Sequence, residues 1–183
     1  MPTELEDFSQ EPDGDLVRET YAYFGLAMYH AQVLEHGIVN AMVPVATLNG
    51  PNPSREELDR NFERFFSLTF GTLVRLLQQL VQLDDTTKDL LRQATAKRNY
   101  LAHNFFREHS LSFRTKAGCL KMIKDLENCH QLFEKTDKSL ESPQYQPWVK
   151  LFGGPKAFQD SVDKALKEQE EEAKSIVATM IKF

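Results

Sequence analysis

The amino-acid sequence predicts an all-α protein, an up-and-down bundle of four to five helices. Glycine and proline are scarce, with eight of each among 183 residues, and most of them cluster in two places. Chains so poor in turn-forming residues usually run in long helices. Apolar residues recur at helical spacing over long stretches, and no segment of useful length alternates as a strand does.

Acidic residues are frequent in the first fifteen positions, which carry no apolar run. We therefore expect no signal peptide there. Residues 1–14 are predicted to be a disordered acidic segment, and Asp13 or Asp15 is the expected cap of the first helix.

The first helix is predicted over residues 16–43, where apolar side chains recur at helical spacing. Pro44 lacks the backbone N–H that a helix interior uses, and a turn-rich segment follows at 49–53. We expect the helix to end at these residues.

A capping box predicts the start of the second helix, because Ser54 is followed three residues later by Glu57. This helix should present a wide apolar stripe to the first one. The stripe comprises Leu58, Phe62, Phe65, Phe66, Thr69, Leu73, Leu76, Leu77, Leu80 and Val81.

The third helix is expected from Thr86 or Thr87 through Phe106, and the fourth over residues 115–140. The side chains of the fourth that should face inward are Leu120, Ile123, Leu126, Cys129, His130 and Phe133. 

Two turn-rich segments, at 142–147 and 153–155, predict breaks in the C-terminal part of the chain. The apolar residues between them, at 148–152, are expected to pack on the bundle as a plug. A last helix is predicted over 156–182, with an apolar end that packs on the core or on a partner.

Composition excludes several classes of protein. The net charge of −5 argues against a general polyanion binder, and no run approaches the roughly 18 apolar residues of a membrane-spanning helix. On one helix, Cys119 and Cys129 would lie about 15 Å apart, which is too far for a disulfide. A cytoplasmic location is the expected default.

The middle of the chain is basic within this acidic protein. Residues 86–124 hold nine lysines and arginines against two acidic residues, a net charge of +7. Solvated helix faces often produce such a run, so the charge alone does not assign a function.

A short motif lies in this basic region. Asn99 and His103 are four residues apart, so they share a helical face within hydrogen-bonding reach. Arg98 is five residues from His103, about 140° around the helix. A guanidinium binds a phosphate at two points and offsets developing negative charge, and an imidazole can accept or donate a proton near neutral pH.

The segment Arg98-Asn99-Tyr100-Leu101-Ala102-His103 resembles the Arg-x4-6-His motif of HEPN domains. The resemblance covers residues 16–140 in architecture and is sharp only near 97–106. The predicted bundle spans residues 15–140, and residues 141–183 are expected to form a C-terminal loop plus helix that packs on the bundle or a partner. It implies a metal-independent endoribonuclease, without a cofactor, that acts as a homodimer with a composite site. Many members of this family are toxins or defence effectors.

The resemblance also implies residue roles. Arg98 and His103 would be catalytic, with Asn99 in support, and an antitoxin or regulatory protein is an implied partner. The RNA-binding candidates are Lys97, Arg107, Arg114 and Lys116. In one toxin subgroup a modified tyrosine lies two residues after the histidine, but this sequence has Phe105 there.

Two other readings remain open. The first is a non-catalytic interaction, immunity or regulatory module that binds a protein or a nucleotide, which the acidic balance outside the middle favours. The second is a purely structural bundle, for which His103 should be tightly packed against apolar neighbours. A zinc site built from the histidines and the two cysteines is the weakest alternative, because His30 and His36 lack helical metal-ligand spacing.

Overall fold

The structure, a computed structural model, describes residue 12 and residues 14–180, the last five without their side chains. Every regular element within these residues is helical, which confirms the predicted all-α class. Seven α-helices follow one another, with a 3₁₀ turn at Ser112–Arg114 between the fifth and the sixth. They are α1 (Gly14–Asn49), α2 (Arg55–Phe66), α3 (Phe70–Leu80), α4 (Asp85–His103), α5 (Phe105–Glu108), α6 (Lys116–Leu151) and α7 (Pro155–Met180).

Two helices of 36 residues each, α1 and α6, form the centre of the bundle. They run in the same direction, because the rings of His30 and His130 lie 5.0 Å apart and Trp148 contacts Asn40 further along. Their shared face is apolar and solvent-excluded, as helix pairing in water requires. Its fully buried members include Ala27, Leu34, Ile38, Met42, Met122, Leu126, Phe133 and Leu140.

The other helices alternate in direction around this pair. Helix α2 returns along α1, where the Asn61 amide donates to the Thr47 hydroxyl at 3.1 Å. Helix α3 runs against α4, because Phe70 at its start lies under Arg98 near the end of α4. The Ser54 hydroxyl caps α2 by accepting from the Glu57 N–H, as the capping box predicts.

Helix α1 does not end at Pro44 but continues to Asn49, so that part of the prediction is wrong. Proline cannot donate to the carbonyl four residues earlier, which here belongs to Asn40. The indole N–H of Trp148 donates to that carbonyl at 3.0 Å. A side chain from α6 thus replaces the hydrogen bond that Pro44 cannot make.

The predicted second helix is two helices, separated at residues 67–69. Phe65 and Phe70 would lie about 140° apart on a continuous helix, yet both are buried in one core. The break allows this, because Ser67 caps the end of α2 and Thr69 restarts the chain in an extended conformation.

Helix α6 runs through Pro143 and Pro147, so the predicted loop at 142–147 is wrong. Continuation keeps Trp148 and Leu151 packed against the core, and Val149 between them is buried. The predicted plug at 148–152 is therefore present, as the last turn of a helix. Of the predicted inward-facing residues of α6, Leu120 is instead 45% exposed.

The predicted break at 153–155 is confirmed by the way α6 ends. Gly153 has a φ of 81° and donates to the Lys150 carbonyl, while Gly154 donates to the Val149 carbonyl. This pair of bonds is a Schellman motif, in which the left-handed position favours glycine. Pro155 then begins α7, where its missing N–H costs nothing.

Helix α7 lies against the C-terminal part of α6 through Phe158 and Val162, and residues 163–175 are exposed. None of the described helices combines the length and the hydropathy needed to cross a membrane. The apolar end predicted for this helix, residues 176–181, lies outside the described side chains. Lys182, Asp13 and residues 1–11 also lie outside the described part of the chain. Helix α1 begins at Gly14, so Asp15 lies in its first turn rather than at its cap.

We expect Trp148→Phe to destabilise the fold by about 1–3 kcal/mol, because it leaves the part-buried Asn40 carbonyl without a donor. Pro44→Ala restores a backbone N–H for the same carbonyl. In the Pro44→Ala background, Trp148→Phe should therefore lower the free energy of unfolding by less than it does in the wild type. Urea denaturation of wild type, the two single variants and the double variant measures this coupling. Equal costs in both backgrounds would contradict this role for the indole.

Alanine substitutions at two glycines should change the free energy of unfolding in opposite directions. A Cβ at Gly118 would lie 1.8 Å from the Ser112 carbonyl oxygen, whereas a Cβ at Gly25 meets nothing within 4 Å. Gly118→Ala should destabilise the protein by about 1–3 kcal/mol through overpacking. Gly25→Ala, in the interior of α1, should stabilise it by up to about 1 kcal/mol. Thermal unfolding of both variants tests the pair.

Candidate functional site

The Arg-Asn-x-x-x-His motif occupies the last turns of α4. The Asp84 carboxylate caps the start of this helix by accepting from the Thr87 N–H at 2.6 Å, and this interaction lowers the pKa of that carboxyl. The helix ends at His103, because Asn104 leaves helical geometry with φ −125° and ψ −26°. The prediction that it continues through Phe106 is therefore wrong, and a separate short helix, α5, follows.

Arg98 is half-buried against the start of α3. Its guanidinium lies 5.9 Å from the ring centre of Phe70, a cation–π contact. No ion pair or hydrogen bond of this guanidinium occurs among the described residues. The contact fixes the arginine stem and leaves its donors available to an anion.

Asn99 and His103 are both exposed on α4. Within the described part of the chain, no hydrogen bond joins their side chains. The spacing places them on one face, as predicted, but the expected orientation of the imidazole by Asn99 is not observed. Solvent can reach both groups, so neither needs the other as a partner.

The basic side chains around the motif fall into two groups. Lys88, Arg92 and Lys124 are paired with Asp85, Asp89 and Glu127 at 2.6–3.1 Å. The second group forms no ion pair with any described residue and surrounds the end of α4. Its members are Lys97, Arg98, Arg107, Arg114 and Lys121.

Each predicted RNA-binding residue has a defined position. Lys97 lies over the Tyr100 ring at 5.6 Å, and Arg107 donates to the Asn104 amide oxygen at 2.6 Å. Arg114 is exposed in the 3₁₀ turn, and Lys116 is half-buried at the first position of α6. All four therefore lie on the end of the bundle that carries His103.

A partly buried polar network lies beneath the same turns of α4. The Tyr100 hydroxyl is hydrogen-bonded to His109 Nε2 at 3.0 Å, and that nitrogen is 3.8 Å from the Asp125 carboxylate. His109 is buried, with its ring against Phe105 at 4.7 Å. Burial raises the pKa of Tyr100, and the negative charges of Glu108 and Asp125 raise it further.

The sequence did not reveal this network. Tyr100 and His109 are separated by the helix end at Asn104 and by α5, so no periodic spacing connects them. Asp125 comes from α6 and meets them only because the two helices pack. His109 follows Phe105 and Phe106 and precedes Phe113, and this aromatic neighbourhood is a local signal of burial.

Cys129 lies near this network, because the charges of Lys97 and Asp125 act on its thiol. Its thiol is buried, and this raises its pKa, an effect that Lys97 partly offsets. A raised thiol pKa suits a structural cysteine rather than a nucleophile. Cys119 is buried as well, and both cysteines are free.

Across residue 12 and residues 14–175, no three histidines, cysteines or carboxylates cluster with the geometry of a metal site. His30 and His130 do meet across α1 and α6, and His130 Nδ1 is buried without a hydrogen-bond partner in this part of the chain.

Comparison with known proteins returns no relative. Neither a protein-family model, nor a curated protein, nor a solved structure matches the chain.

We expect Tyr100→Phe to destabilise the protein at neutral pH by about 1–3 kcal/mol, since His109 Nε2 loses its hydrogen-bond partner. The folded pKa of Tyr100 lies above its ordinary value of 10.0, so the folded state holds the proton more tightly than the unfolded state. Wild-type stability should thus fall as pH rises past about 10. Urea denaturation at increasing pH should show that the difference in the free energy of unfolding between wild type and Tyr100→Phe becomes smaller. A difference that stays constant with pH would contradict this.

Proposed function

We propose that the chain is a metal-independent endoribonuclease of the HEPN type, with Arg98 and His103 as catalytic residues. One observation carries the proposal: the motif lies at an accessible helix end, with its guanidinium and imidazole free of ion pairs within the described residues. Unpaired cations on the same end favour a polyanion over other substrates. The exposure of His103 argues against the purely structural reading.

The proposed reaction is a transesterification. His103 accepts the proton of a ribose 2′-hydroxyl, whose oxygen attacks the adjacent phosphorus and displaces the 5′-oxygen of the next nucleotide. The leaving oxygen takes up a proton, and the products are a 2′,3′-cyclic phosphate and a 5′-hydroxyl. Arg98 binds the non-bridging oxygens and offsets the charge that develops on them.

A homodimer would complete the site. Arg98 and His103 lie about 140° apart around α4, and Arg98 leans towards α3. Two copies of the motif that meet along the exposed strip of α4 would place the arginine of one copy near the histidine of the other. This strip consists of Gln93, Ala96, Asn99 and His103, whose small and polar side chains permit close approach.

His103→Ala should lower the cleavage rate by about 10²–10⁴-fold, the usual contribution of a general acid or base. The measurement is cleavage of a labelled RNA in EDTA. His36→Ala, which removes an exposed histidine from α1, serves as the control and should retain activity. An oligonucleotide with a single ribose among deoxynucleotides should be cut only after that ribose, and cutting elsewhere would overturn the chemistry.

Mixing two inactive variants tests the composite site. Arg98→Ala and His103→Ala should each be inactive, while Arg92→Ala, which removes an arginine engaged by Asp89, should remain active. If two copies share the site, combining the Arg98 and His103 variants should restore measurable cleavage. A mixture as inactive as its components, from proteins that dimerise normally, would contradict the shared site.

A second candidate is a non-catalytic module that binds a protein partner. The favouring observation is α7, which is exposed from residue 163 to residue 175 and holds four glutamates there. A partner that co-purifies at fixed ratio, together with no cleavage by the wild type in the assay above, would favour this function.

A further inference from the structure

A cleft of about 490 Å³ lies between α1, α6 and α7, at the end of the bundle away from the Arg98–His103 motif. Its volume is within the range of small-molecule sites, about 300–1,000 Å³. Four aromatic rings line it, from Tyr145, Trp148, Phe152 and Phe158. The polar groups among them include the Glu141 carboxylate and the Gln144 amide.

The aromatic rings hold one another in place. Phe158 of α7 lies 6.0 Å from Tyr145, 6.5 Å from Trp148 and 5.7 Å from Phe152, measured between ring centres. The Trp148 indole is also fixed by its hydrogen bond to the Asn40 carbonyl. A ligand would therefore meet preformed ring surfaces, which lowers the entropic cost of binding.

The charged side chain that lines the cleft is the Glu141 carboxylate. No lysine, arginine or histidine lines it, and Glu141 forms no ion pair with any described residue. The nearby Lys138 is engaged by Glu134 at 2.8 Å. Burial raises the pKa of the half-buried Asp137, and the Glu141 charge raises it further. The local field thus disfavours anions and favours cations.

Aromatic ring faces and an unpaired carboxylate together suit an organic cation, because ring quadrupoles attract the positive charge and the rings contact its apolar groups. We propose that the cleft between α6 and α7 binds a small organic cation of the quaternary or alkylated ammonium type. Glu141 balances the charge of this ligand, and Trp148, Tyr145 and Phe158 contact its alkyl groups. The site is separate from the proposed ribonuclease site and independent of it.

Trp148 is the only tryptophan in the chain, so its fluorescence reports directly on the cleft. The probes are choline and 3,3-dimethylbutan-1-ol, an alcohol of the same shape without the charge. Choline should change the Trp148 emission saturably, and the alcohol should bind about tenfold more weakly, as cation–π energies suggest. Isothermal calorimetry of both titrations provides a second readout.

Glu141→Gln tests the carboxylate, with Glu19→Gln as the matched control. Both changes remove one negative charge from an exposed position, but Glu19 lies near the opposite end of α1. Glu141→Gln should weaken choline binding about two- to fivefold, as expected for an exposed ion pair, and leave the alcohol unchanged, while Glu19→Gln should alter neither.

Three results would overturn the proposal: no saturable choline signal in fluorescence or calorimetry, equal affinity for the two probes, or undiminished choline binding by Glu141→Gln. Each leaves the RNA cleavage assay unaffected, so failure here is distinguishable from failure of the proposed ribonuclease.

Discussion

The hydrogen bond from the Trp148 indole to the Asn40 carbonyl is the interaction on which the rest of the bundle depends. It joins the two longest helices near their C-terminal ends and replaces the backbone bond that Pro44 removes from α1. Because a proline in a helix interior costs about 3 kcal/mol, α1 reaches Asn49 only with tertiary support. The same indole fixes the end of α6 against α1 and forms part of the wall that faces α7.

Close approach of the two long helices sets a second constraint. Gly37 is buried, and a Cβ there would lie 2.0 Å from the Asp137 carboxylate. Gly118 similarly admits the Ser112 carbonyl at the start of α6. The Gly37 contact joins α1 to the Asp137 side chain in the middle of α6, and the Gly118 contact joins the 3₁₀ turn to the start of α6. At each position glycine leaves room for a group that a side chain would displace. The Gly118 contact holds the 3₁₀ turn on the beginning of α6, beside the end of α4 where the motif lies.

Local chemistry explains which parts of the fold were predictable from the sequence. The Ser54 cap and the turn at Gly153 depend on residues within a few positions of each other, so their sequence patterns were sufficient. Pro44, Pro143 and Pro147 were misread as helix ends, because the contacts that support the helices there come from residues about a hundred positions away or from packing. The break after Phe66 escaped prediction for the same reason, since only the core requires Phe65 and Phe70 to face one side.

The candidate site likewise has a part that was predictable from the sequence and a part that was not. Helical spacing predicts that Asn99 and His103 share one helical face and that basic residues lie near them, because this spacing is a local property of the sequence. It did not find His109 and Asp125, which reach Tyr100 from other elements. Yet these residues matter for the motif, because the same turns of α4 carry His103 outside and Tyr100 inside. The part-buried Tyr100–His109 hydrogen bond holds α4 at the point where it ends, and the catalytic role proposed for His103 would need such a rigid support.

The two proposed sites lie beside opposite parts of α6. Asp125, beneath the motif, and Trp148, in the cleft, are 23 residues apart on α6, a separation of about 35 Å at the ~1.5 Å rise of an α-helix. Neither site shares a side chain with the other. Any effect of a cleft ligand on the motif would have to pass through the α1–α6 pair. That core is closely packed at Gly37, so it resists continuous deformation. Independent behaviour of the two sites is what this geometry favours, and a bound cation should stabilise the fold without altering the motif.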